Sequence, residues 1–197
     1  CVANLAKEVK KRKDALPEPL IHYTQADDRN LVIYHNHSEE TSDKIASVLK
    51  DAQLLKEACV DAYDESSNYQ LLLRVLNEQA IKNPDGSYRL REKKDGGMNG
   101  SILQNPADPD ATFREKGGKQ NRGYVANVTE ATGGGHSIVT DYQYEKNLYS
   151  DSQFMKDALA KTERQDEEVT VVTDGAYAGR ENERLAKEKN IHLVTTN

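Results

Sequence analysis

With 197 residues and a formal charge of −6, the chain is long enough to bury the core of one or two domains. Its 36% hydrophobic and 30% charged residues make it more polar than an ordinary globular domain, so a thin core with much exposed helix or linker is expected. The acidic balance argues against the whole chain acting as a strong nucleic-acid binder, because phosphate contacts need clustered lysine and arginine.

No apolar run approaches the ~20 residues that cross a bilayer, and the start lacks the basic-then-apolar pattern of a secretory signal. A cytoplasmic location without membrane contact is therefore expected. Cys1 and Cys59 are too few for a disulfide framework and have no zinc-like partner pattern, which suits a reducing compartment.

The chain opens inside a helix-like stretch, Leu5 to Leu16, and closes on the strand-like run Ile191 to Thr196, so both ends read as cut. Lys10 to Lys13 form a basic cluster there, read as a solvated face. His35 and His37 form a His-x-His pair without a third ligand nearby, which favours a polar loop.

After the N-cap candidates Thr41 and Ser42, the positions Ile45, Val48, Leu49, Ala52, Leu55 and Cys59 recur at helical spacing and predict an amphipathic helix over 43–63. A second helix follows Ser66 and Ser67, with Leu71, Leu72, Val75, Leu76 and Gln79 on its apolar face, until Asn83-Pro84-Asp85-Gly86 stops it. The charged stretch from Arg89 to Asn99 ends in Gly96-Gly97, which places a domain boundary near residue 97. The expected organisation is a helical region over 1–97 and a different domain over 98–197.

Beyond the boundary the period changes. Gly123 to Val128 and Ser137 to Thr140 read as a strand hairpin across Gly133-Gly134-Gly135. Ser150 and Gln153 have capping-box spacing, and Phe154, Met155, Ala158 and Leu159 give one apolar helical face up to about Arg164. Val169 to Thr173 is a β-branched run of the kind buried on both faces of a sheet, and Gly179 to Lys189 is helical before the last strand. The order is three strands, helix, strand, helix, strand: an antiparallel meander followed by a βαβ unit, in an α/β fold.

Asp174 follows the buried strand directly and precedes Gly175, so its carboxylate should emerge at the carboxyl end, where open α/β sheets place ligands. Asp108 and Asp110 lie two apart and point the same way on an extended chain. One of them meets Asp174 if the first strand is central. Carboxylates gathered in one cleft repel unless a pKa rises or a cation binds, and oxygen ligands favour Mg²⁺ or Mn²⁺. Two such ions about 3.5–4 Å apart perform phosphodiester cleavage and strand transfer. An ordinary turn at Asp-Pro-Asp and an ordinary strand end at Asp-Gly are the bland alternatives.

The strings Asn105-Pro-Ala-Asp-Pro-Asp-Ala-Thr112, Gly123-Tyr-Val-Ala-Asn127, Tyr149-Ser-Asp-Ser152 and Val172-Thr-Asp-Gly-Ala-Tyr-Ala-Gly-Arg-Glu-Asn182 resemble, in order and spacing, the catalytic core of DDE insertion-sequence transposases. The preceding half, including Asp27-Asp28 and Tyr69-Gln-Leu-Leu72, resembles the region before that core. The resemblance implies a ribonuclease-H-like mixed sheet with flanking helices, Mg²⁺ (or Mn²⁺) dependence, and cleavage and joining of double-stranded DNA at transposon ends and target; it allows a homodimer of the full-length protein. Asp174 matches the second acid. Asp110-Ala-Thr112 resembles the acid-small-Thr pattern of the first acid, with Asp108 as the alternative. The third acid, a Glu on a later helix, has no match: Glu181, Glu183 and Glu188 come too early, which puts it beyond Asn197 and predicts a fragment inactive alone.

Arg114, Lys116, Lys119 and Arg122, with Arg180 after the second acid, are the expected DNA contacts, Tyr177 adding a stacking surface. Lys116-Gly-Gly-Lys119 lacks the P-loop ending and reads as a flexible basic loop. Asp151, beside Ser150, reads as a helix cap. Two other functions stay open. Asp108-Pro-Asp-Ala-Thr112 fits the Asp-x-Asp-x-Thr signature of haloacid-dehalogenase-like phosphotransferases, with Asp108 as nucleophile, although a buried strand should precede it. A non-enzymatic, repurposed transposase segment is the other.

Overall fold

The computed structural model describes residues 1–25 and 40–196, so Asp27, Asp28, His35 and His37 lie outside the described residues. The chain divides into two compact units, Cys1–Pro109 and Asp110–Asn197. Both mix helices with small sheets, and no described helix is long and apolar enough to cross a membrane.

The N-terminal unit is built on α1 (Val2–Arg12), α2 (Thr41–Cys59) and α3 (Ser67–Gln79), with a 3-10 segment at Glu18–Thr24. α1 ends at Lys13, whose N–H donates to the Lys10 carbonyl and whose φ of 64° turns the Asp14 N–H back to the Val9 carbonyl. Lys10, Lys11 and Arg12 thus occupy the last turn, where cations offset the helix dipole. Arg12 also reaches Glu8 at 2.6 Å and lies over the Tyr63 ring at 4.3 Å. The basic cluster is accounted for as a helix end.

The core gathers Leu5, Ala6 and Val9 of α1, Leu49, Ala52, Leu55 and Cys59 of α2, and Tyr69, Leu72 and Leu76 of α3. Burial pushes the Cys59 thiol up to about 11. α2 stops at Cys59, short of the expected Tyr63, because Asp61 turns left-handed with φ of 62°. On α3 the buried line runs through Tyr69, Leu72 and Leu76 rather than Leu71 and Val75, which are only half-buried. Ser66 caps α3 by accepting from the Tyr69 N–H, as its residue type favours.

A strand missed by periodicity follows α3 immediately. β1 (Ala80–Lys82) pairs antiparallel with β2 (Tyr88–Leu90) around the Asn83–Gly86 turn, where Asp85 Oδ1 accepts from the Ser87 N–H and hydroxyl. At three residues each, these strands are too short for an alternation signal.

Glu8 joins α1 to α3: its carboxylate accepts from Asn68 Nδ2 at 2.9 Å and from the Ser66 hydroxyl at 2.7 Å. These bonds, Asn68 first, hold its carboxyl below the usual range. Its contribution to stability is complete above the unfolded value near ~4.3 and lost as pH falls through the lower folded value. We expect the melting temperature of this unit to drop below about pH 4, and Glu8→Gln to flatten that dependence; a pH series of thermal melts on both chains checks it.

The unit extends past the glycines expected to end it. Leu103 is buried, its N–H donating to Glu78 Oε2 and its carbonyl accepting from Gln79 Nε2, and Arg74 donates to the Pro109 and Ser101 carbonyls. Gly96, with φ of 71°, closes only a short 3-10 turn at Lys93–Asp95. Polar side chains of α3 tie down residues 101–109, beyond the stretch that composition marked as a boundary.

The C-terminal unit opens with an antiparallel meander of β3 (Thr112–Lys116), β4 (Lys119–Gly133) and β5 (His136–Lys146). Its turns are the pairs Gly117-Gly118 and Gly134-Gly135, all at positive φ, as tight hairpins require. Lys116 and Lys119 are therefore ladder partners across a hairpin turn rather than parts of a flexible loop. α4 (Asp151–Lys161), β6 (Val169–Asp174), α5 (Arg180–Glu188) and β7 (Ile191–Thr196) follow, with β6 and β7 paired parallel from Val169↔Ile191 to Asp174↔Thr196.

Met155 and Leu159 of α4 pack with Ala186 and Ile191, and Phe154 is buried against Tyr149. Ser150 caps α4, accepting from the Gln153 N–H, but the Gln153 side chain donates to Asp157, so the capping box is half-formed.

Two expectations about the sheet fail. β3–β4–β5 and β6–β7 are separate sheets rather than one mixed sheet, and no strand bridges them among the described residues. β6 is accordingly not buried on both faces: Val169 is 41% and Val172 63% exposed. The segment leading into β3 carries Pro106 and Pro109, which lack the N–H a central strand needs.

Candidate functional site

Asp174 is the last residue of β6 and lies at the carboxyl end of a parallel strand pair, as expected. Its Oδ1 accepts from the Ala176 N–H at 2.7 Å and caps the 3-10 turn Gly175–Tyr177. That turn carries Tyr177 back over the unit, where its hydroxyl donates to Asn127 Oδ1 of β4 at 2.8 Å. Asn127 Nδ2 donates to Gln143 Oε1 of β5, and Gln143 Nε2 to the Phe154 carbonyl of α4. A chain of four hydrogen-bonding groups thus ties the turn after Asp174 to β4, β5 and α4. Tyr177→Phe removes its first link, and we expect it to cost about 1 kcal/mol of stability, measured by urea denaturation.

The acid that accompanies Asp174 in its influence on Tyr177 is Asp151. Burial raises the phenol's pKa, and the charges of Asp151 and Asp174 raise it further. Ser150 supplies the helix cap, so Asp151 stands at the first position of α4 with its side chain 14% exposed, 3.9 Å from Lys116 Nζ. Its place beside a helix start favoured a capping role in the sequence. The fold frees the carboxylate from that role.

Asp110 opens the C-terminal unit just before β3, not at the carboxyl end of a strand, and its Oδ1 accepts from Lys146 Nζ at 2.6 Å. Its carboxylate is 67% exposed. Asp108 belongs to the N-terminal unit, in a tight turn where its N–H donates to the Asn105 carbonyl. That turn, not a buried strand, precedes Asp108, so the lead-in that a phosphotransferase nucleophile needs is missing. Among the described residues no three His, Cys, Asp or Glu side chains form a group able to hold a metal ion.

Strand alternation sorts the cations. In the β3–β4 ladder Arg114 pairs with Asn121 and Lys116 with Lys119, whereas Phe113 pairs with Arg122. Arg114, Lys116 and Lys119 therefore share the face that meets α4, and Arg122 lies on the opposite face, over the Phe113 ring at 5.3 Å. Arg180 begins α5 and is exposed. The outer face with Arg122 also carries Tyr124 stacked on Tyr144 at 5.0 Å, and the exposed Tyr142. This aromatic face was invisible to the sequence because the residues come from two strands.

Compared with known proteins, the chain matches no family profile, no curated protein and no solved structure.

Proposed function

We propose that the C-terminal unit is part of a ribonuclease-H-like catalytic domain of a DDE transposase, acting on double-stranded DNA at insertion-sequence ends. The observation that carries this reading is the carboxylate of Asp174 at the carboxyl end of parallel β6, oriented by the Ala176 N–H and followed by a turn tied to β4 through Tyr177 and Asn127. The order of strands and helices and the resemblance around Asp110 and Asp174 support it.

Asp174 and Asp151 offer the hard oxygen donors that suit Mg²⁺ or Mn²⁺, and as two acids they supply part of a ligand set. Asp110 is the remaining candidate, and it would have to exchange Lys146 for that role. Metal held by these acids would supply activation of the attacking oxygen and stabilisation of the leaving one. The chain's own residues position: the Ala176 N–H orients Asp174, the Tyr177–Asn127 bond fixes the following turn, and Arg180, Lys116 and Lys119 present charge to phosphates.

NMR titration with Mn²⁺ tests the reading. We expect selective broadening of the amides around Asp151 and Asp174–Tyr177 that excess Mg²⁺ restores. Broadening confined to other acids, or none, removes its support.

A further inference from the structure

The C-terminal unit contains an open slot flanked by two strand edges. β4 residues 127–133 have ladder partners only in β5, and β6 only in β7, so each strand has one edge with no ladder partner among the described residues. Between them lies a cleft of about 730 Å³, bordered by consecutive residues on both sides, Asn127 to Thr132 and Val169 to Thr173. A strand that turns a face to a cavity lines it with every second residue; consecutive lining means that the backbone edges border it. Its floor is α4, through Met155, Ala158, Leu159 and Thr162, which fall on one helical face. The Tyr177–Asn127 bond closes the end near Asp174.

We propose that this slot is a binding site for one extended, basic peptide segment of a partner protein, taken up as a strand between β4 and β6. Unpaired edges present rows of N–H and C=O groups that template another strand. Here two rows flank a single place, so an entering strand satisfies its backbone on both sides. Six residues border the β4 side and five the β6 side, which sets a footprint of about 17–20 Å. Alternate side chains of the occupant meet Met155 and Leu159, so those are apolar. The Thr173 Oγ1, buried without a hydrogen-bond partner in the slot wall, marks one position for a polar group.

Charge selects the class of occupant. The strand entering the slot at Val169 is preceded by exposed Asp166, Glu167 and Glu168, and Glu130 lies on the facing edge. Lys161 and Arg164 on the same connection offset only part of this. A phosphate backbone is repelled there, whereas lysine or arginine at one end of an extended peptide is attracted. The inference does not rest on the metal-site reading.

Hydrogen exchange on the whole chain tests it, using as probe a blocked peptide of two lysines followed by three Thr-Val repeats. The expected result is slowed exchange, by about tenfold or more, at amides of 127–132 and 169–173 together, with residues 1–109 unchanged. A peptide with proline in place of each valine, and one with glutamates in place of the lysines, should give no protection. The chain carrying Asp166→Lys, Glu167→Lys and Glu168→Lys, all exposed positions, should lose at least about tenfold in affinity for the lysine peptide. Protection of only one strand, protection elsewhere, equal binding of the glutamate peptide, or unchanged affinity of the triple variant overturns the proposal. Self-association of the chain alone that protects the same amides overturns it too, by making a second copy the occupant.

Discussion

Replacing Asp174 by asparagine in a chain extended past Asn197 is expected to lower metal-dependent DNA strand cleavage by at least about 100-fold, because loss of even an outer-shell partner of a metal ligand costs ~10–100-fold. Asparagine keeps an oxygen able to accept from the Ala176 N–H, so the 3-10 turn at Gly175–Tyr177 and the Tyr177–Asn127 bond should persist. The decisive readout is therefore cleavage lost with an unchanged melting temperature. Cleavage that survives the change would sink the transposase reading. Asp151→Asn and Asp110→Asn in the same assay show which acid works with Asp174: Asp151 lies 3.9 Å from Lys116, whereas Asp110 is bound to Lys146 at 2.6 Å.

The largest effect on stability is expected from Phe154→Ala. Phe154 is 1% exposed, meets Tyr149 edge-on at 4.9 Å between ring centres, and sits where its own carbonyl accepts from Gln143. Truncating a buried phenylalanine costs about 3–5 kcal/mol, a large share of the ~5–15 kcal/mol that holds a domain together. Unfolding should be confined to the C-terminal unit. Cys59, buried in the N-terminal core with its thiol raised to about 11, is the internal control: it should stay unreactive toward a thiol reagent in the variant. Labelling of Cys59 in step with loss of the C-terminal signal would mean that the two units unfold as one.

The divergence from the expected sheet has the same physical root as the site's geometry. A single mixed sheet needs a strand between β4 and β6, and the only chain leading into β3 contains Pro106 and Pro109. That segment is instead held by Arg74, Glu78 and Gln79 of α3. Asp110 consequently stands just before β3 rather than at a strand's carboxyl end, and the acid whose charge reaches Tyr177 together with that of Asp174 is Asp151.

What the sequence determined by itself was whatever local chemistry dictates. Helical spacing specified α2, α3 and α4; Ser66 and Ser150 specified two helix starts; Gly133-Gly134-Gly135 specified the β4–β5 hairpin turn; and Val169-Thr-Val-Val-Thr173 followed by Asp174 specified a strand ending in an exposed carboxylate. Each signal is carried by residues within one or two turns of each other, where sterics and capping act without help from the rest of the chain. Only the tertiary structure decided where one unit ends and the next begins, that β6 would keep one edge without a ladder partner among the described residues, that the basic residues would divide between two faces of the β3–β4 hairpin, and that the charges of Asp151 and Asp174 would both reach Tyr177. These outcomes depend on pairing partners and side-chain bonds between residues far apart in the chain, such as Arg74 with Pro109 and Tyr177 with Asn127, which no local pattern encodes.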